Sequence, residues 1–143
     1  MPLIMLSAVM RAPSAVALAA FFALIAAGCG GTPVREAPSV DGIADTIAEL
    51  EQALSERDLA RICDRIFSPE ARRRAGGEEC QRRLARTTRT VESPRLELLS
   101  IDLRPEGALA RVRASAGDEP PAVDSMRFVA VEGVYRVDSL SSG

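Results

Sequence analysis

The chain has 143 residues, with 18 basic and 20 acidic side chains, no His, 47 % hydrophobic residues and 3 % aromatic ones. A formal net charge of −2 gives a nucleic-acid partner no electrostatic support at the level of the whole chain. Every basic residue is Arg, and Lys, Asn and Trp are absent; this is the usage of a GC-rich coding sequence, so a single arginine is weak evidence of a site.

An apolar run over 16–27 comes first, preceded by Arg11 and closed by Ala26-Ala27-Gly28-Cys29-Gly30-Gly31. A basic start, an apolar segment of about 7–15 residues and a small-residue exit make a secretory signal. With Cys29 directly after the exit and glycines behind it, the segment resembles a bacterial lipoprotein processing site, although Ala26 stands where that pattern usually has Leu. The resemblance implies that residues 1–28 are a removed signal peptide. It also implies that Cys29 carries a diacylglyceryl group, and that the mature protein is extracytoplasmic, anchored to the outer face of the cell membrane by lipid. The first nine residues are apolar where a signal is polar and basic, which points to Met10 as the translation start. An uncleaved membrane helix is the competing reading, but it needs about 20 apolar residues and the stretch after Pro13 stops short. Residues 29–39 read as a flexible tether, whose ten Gly-, Pro- and Ser-biased residues 30–39 span up to about 33 Å at about 3.3 Å per residue. A single domain over 40–143 follows, long enough to bury a core of its own.

Within that domain Ile43, Ile47, Leu50 and Leu54 recur at helical spacing, which predicts a helix over 40–56 with Asp41 as its cap. Asp58 caps a second helix carrying Leu59, Ile62, Cys63 and Ile66, and Ser68-Pro69 opens a third, ended by Gly76-Gly77. A fourth helix carries Cys80 and Leu84. From Arg95 the period changes to two, predicting four strands. In the first, Leu96 and Leu98 share one parity and Leu99, Ile101 and Leu103 the other, so either both faces are covered or a bulge shifts the register near Leu98. Pro105-Glu106-Gly107 and Glu132-Gly133 read as turns, and residues 115–121 as a loop. The expected fold is α+β, with N-terminal helices packed on a curved antiparallel sheet of about four strands.

Two stretches resemble a known superfamily. The run from Ala53 through Arg57-Asp58-Leu59 to Cys63, followed by Phe67-Ser68-Pro69-Glu70-Ala71, resembles the start of a nuclear-transport-factor-two-like domain. The ending Glu132-Gly133-Val134-Tyr135-Arg136-Val137-Asp138-Ser139-Leu140 looks like its last strand. Arg57 stands where the family often has Gly, and Tyr135 where it often has Trp. The resemblance implies a cone-shaped, cystatin-like fold shared with the SnoaL-like polyketide cyclases. Enzymes of that fold commonly place His, Asp or Tyr inside the cone; this chain has no His, so no catalytic role carries over.

If Cys29 is lipidated, Cys63 and Cys80 remain in a compartment that permits disulfides. They either bridge, closing a loop of about 17 residues for roughly 3 kcal/mol, or stay as two buried thiols. No metal site is expected, because there is no His and the two cysteines are far apart, and no cofactor is implied. Three functional readings follow. The first is a non-enzymatic binding or accessory domain, in which either the small residues Ala108, Ala110, Val112 and Ala114 leave room for a small apolar ligand, unless helix side chains fill it, or an exposed sheet face meets an envelope partner. The second is an enzyme with Asp102, Asp124 or Asp138 as general base and Tyr135 as donor, although strand parity turns Asp102 and Asp138 towards solvent. The third uses the arginines at 72, 73, 74, 82, 83, 86 and 89, which face only Glu78 and Glu79 within that segment. Arg72, Arg73, Arg74, Arg82, Arg83 and Arg86 would then contact an anionic envelope surface, while a plain solvated helix face is the ordinary alternative.

Overall fold

A computed structural model describes residues 39–142; the signal segment, Cys29 and the tether up to residue 38 lie outside the described residues. Four helices, α1 (Val40–Glu56), α2 (Leu59–Arg61), α3 (Pro69–Arg74) and α4 (Cys80–Thr87), precede four strands, β1 (Arg95–Arg104), β2 (Gly107–Ser115), β3 (Ala122–Val131) and β4 (Val134–Ser142). Helices packed with a four-stranded antiparallel sheet make this an α+β fold.

Helix α1 forms where the period demands, burying Ile43, Ile47, Leu50 and Ala53. Its cap is Ser39 rather than Asp41: the Gly42 N–H donates to Ser39 Oγ at 3.1 Å. Ser39 is the last residue with extended backbone, and Asp41 lies inside the first turn, where its charge complements the positive end of the helix. The far end closes on Arg57, which takes the left-handed conformation at φ 56°. The N–H groups of Arg57 and Asp58 then bond back to the carbonyls of Leu54 and Ala53 at 3.2 and 2.8 Å, a Schellman closure with Arg in the position glycine usually takes.

The single helix expected after Asp58 is split. Asp58 Oδ1 accepts from the Arg61 N–H at 3.0 Å, but after α2 the backbone widens into one π-helical turn, Ile62–Ile66, sealed by the Phe67 N–H donating to the Ile62 carbonyl at 2.9 Å. The wider turn lets Ile62, Cys63 and Ile66 all face the core. Ser68 and Pro69 then start α3 as their sequence signals require, with the Ala71 N–H donating to Ser68 Oγ at 2.9 Å. Gly76, at φ 110°, turns the chain out of it.

The strands run in sequence order, each antiparallel to the next. The β1–β2 register shifts between Leu98 and Ser100, leaving Leu99 as the bulged residue. This decides the parity conflict: Leu96, Leu98 and Ile101 all pack on the core. A second shift pairs Phe128 with Val137 and Arg127 with Ser139, leaving Asp138 as the extra residue of β4. Glu132 and Gly133 both take positive φ, the two-residue hairpin whose twist suits its strands. The first turn is tighter than expected, since Gly107 already pairs with Arg104. Its backbone lies so close to β3 that an added Cβ would meet the Phe128 carbonyl oxygen at 2.0 Å.

One core holds these elements together. Ile43 and Ile47 from α1, Ile62 and Ile66 from the π turn, Ala108, Ala110 and Val112 from β2, and Met126, Phe128 and Val137 from β3 and β4 form a single buried cluster. Burying an Ile or Phe side chain is worth about 1.5–3 kcal/mol. Helix α1 touches both outer strands, β1 and β4.

Candidate functional site

The small residues of β2 face inwards, and large helix residues meet them: Ala108, Ala110 and Val112 are buried in the same cluster as Ile43 and Ile47. Space remains towards the far end of the sheet, where a hollow of about 240 Å³ is lined by Leu54, Leu96, Ala114 and Ala122 with Val91 and Pro94 of the preceding loop. That is below the roughly 300–1,000 Å³ typical of small-molecule pockets.

The candidate carboxylates do not converge. Asp102 lies on β1, 63 % exposed and paired with Arg104 at 2.9 Å. Asp124 is half-buried on β3 opposite Val112 and Ser142. Asp138 lies on β4, separated from β1 by β2 and β3. The expectation that Asp138 is solvated is overturned, because the bulge turns its side chain, 16 % exposed, against α3. There Ser68 Oγ donates to Asp138 Oδ1 at 2.8 Å, and Arg74 approaches the same oxygen at 3.5 Å while also bonding the Asp138 carbonyl. Ser68 is 1 % exposed and joins α3 to β4 through three hydrogen bonds: it caps α3, donates to Asp138, and its N–H donates to the Val137 carbonyl at 2.8 Å. Tyr135 is buried, with its ring against Gly42, and its carbonyl accepts from Thr46 Oγ1 at 3.1 Å.

Cys63 and Cys80 form a disulfide, with Cα atoms 6.1 Å apart and both residues buried. It closes the segment that carries α3. A groove of about 520 Å³ opens on this segment, with Cys63, Phe67 and Pro69 as its apolar floor and charged residues from both sides along its walls. Arg136 enters it from β4: Nη1 donates to the carbonyls of Asp64 at 3.1 Å and Phe67 at 3.5 Å, while the buried Nε has no acceptor among the described residues.

The arginines of α3 and α4 are largely engaged within the chain. Arg72 pairs with Asp64 at 3.2 Å, Arg73 with Glu70, Arg74 with Asp138 and Arg82 with Glu79. Arg83 and Arg86 are exposed and join no ion pair among the described residues. Acids outside the 72–89 run supply three of those partners, which counting charges along that run could not reveal.

No protein-family model, curated protein or solved structure matches this chain. Among the described residues no three Asp, Glu or Cys side chains are grouped to hold a metal ion, and no helix is long and apolar enough to cross a membrane.

Proposed function

We propose that the protein is a cell-envelope lipoprotein, held at the outer face of the membrane by acyl chains on Cys29, whose domain is a binding or accessory module rather than an enzyme. The address rests on the apolar run over 16–27 ending in Gly28-Cys29-Gly30-Gly31, and the Cys63–Cys80 disulfide suits an oxidising compartment. The second half of the reading is carried by one observation. Asp138, 16 % exposed against 63 % for Asp102, has its Oδ1 engaged by Ser68 and Arg74, so it serves as a tie between β4 and α3.

We read the domain as nuclear-transport-factor-two-like, with the sheet curled towards a cone. Helices leading into a sheet of order β1-β2-β3-β4 support this, as do the bulges at Leu99 and Asp138, since a bulge bends its strand. The left-handed Arg57 also fits, because it stands where that family often has Gly.

A native mass spectrum of protein released gently from its own membranes tests the assignment. A chain starting at Cys29 with added diacylglyceryl mass is expected, and Cys29→Ser is expected to release the protein from membranes. A Cys29→Ser protein that stays bound would favour the uncleaved helix. An additional bound small molecule would identify a ligand carrier.

A further inference from the structure

The strand register gathers arginines where no linear run shows them. On the sheet face turned away from the helices, Arg111 of β2 and Arg127 of β3 are diagonal neighbours: Arg111 stands opposite Ser100 and Ser125, and Arg127 opposite Leu109 and Ser139. Both are exposed, and among the described residues neither pairs with an acid. Arg104 and Arg113 flank them, held by Asp102 and Glu97 at 2.9 and 2.6 Å. Four arginines against two acids leave this face positive on a chain whose net charge is −2. At the β3–β4 turn the same face carries Val131 and its partner Val134, the latter 57 % exposed. The chain enters the domain at that end, because Gly42 at the start of α1 lies against the Tyr135 ring, next in sequence to Val134.

We propose that this outer sheet face, centred on Arg111 and Arg127, adsorbs to an anionic lipid surface. A basic centre on the same face as an exposed valine, Val134, and the half-buried Val131 is the combination that favours the membrane interface. The inference rests on the proposed envelope placement for the nearness of a membrane. It is separate from the acyl anchor and from the arginines of α3 and α4, which mostly have acidic partners of their own.

The test uses the full chain carrying Cys29→Ser, so that acylation plays no part, in flotation with vesicles of phosphatidylglycerol and phosphatidylcholine or of phosphatidylcholine alone. Any insertion of the apolar N-terminal segment contributes to both vesicle types, so the readout is the ratio of the two partition coefficients. The Arg111→Gln/Arg127→Gln variant is expected to lower that ratio by about twenty-five-fold, at about a factor of five for each cation near an anionic leaflet. Arg111→Lys/Arg127→Lys should keep it, and Arg82→Gln/Arg86→Gln should change it far less. Circular dichroism confirms that each variant is folded. An unpreferring parent chain, an unchanged ratio in the Gln pair, or an equal loss in the α4 pair would each overturn the proposal. Because the parent already lacks the acylated cysteine, a failure here leaves the anchor reading to be judged by its own mass measurement.

Discussion

The Ser68 side chain does two structural jobs at the junction of α3 and β4. Its hydroxyl accepts from the Ala71 N–H and donates to Asp138 while fully buried, so Ser68→Ala removes a helix cap and leaves a mostly buried carboxylate short of a donor. The expected loss is about 2–3 kcal/mol in urea unfolding. Gly107→Ala should be more damaging still, because the new Cβ would overlap the Phe128 carbonyl oxygen at a backbone angle of φ 151°. A loss of about 3 kcal/mol or more, or failure to fold, is expected from a clash with backbone that cannot rotate away. Arg57→Gly runs the other way. It relieves a left-handed Arg at φ 56° whose side chain is exposed, and should raise the unfolding midpoint by about 0.5–1 kcal/mol in equivalent stability.

Among the elements, the segment from the π turn to α4 depends most on covalent closure. Helices α2 and α3 have 3 and 6 residues and α4 has 8, too short to be stable alone. The disulfide closes a sequence separation of 17 residues that contains α3 and ends at the first residue of α4. Replacing both Cys63 and Cys80 by Ala should cost about 3 kcal/mol, read as a lower urea midpoint, with the earliest loss of amide-exchange protection in α3. Much of this architecture was legible from local signals. The α1 period, the Ser68-Pro69 start and Glu132-Gly133 each encode their geometry within a few residues. The double parity of Leu98 and Leu99 already contained the bulge as one of two options. What was hidden depends on partners far along the chain. The π turn is stabilised by which side chains it buries, Asp138 is turned inwards by a register shift against β3, and the pairing of Arg72 with Asp64 or Arg74 with Asp138 needs the tertiary fold. The same applies to the outer sheet face, whose arginines meet only once three strands are in register.

At the level of the whole domain, the sheet is a chain of local hairpins, whereas the seat of α1 is not local at all. Thr46 donates to the Tyr135 carbonyl across 89 residues of sequence, and α1 touches the last strand as well as the first. Truncation before Val134 should therefore remove more than one strand: α1 loses its seat, and cooperative thermal unfolding is expected to disappear. A chain of this design can form its hairpins early, as local contacts allow, yet the seat of its opening helix stays incomplete until the final ten or so residues have emerged. If the chain is exported through a membrane channel as proposed, a fold whose first helix is fully seated only by its last strand stays passable for as long as passage requires.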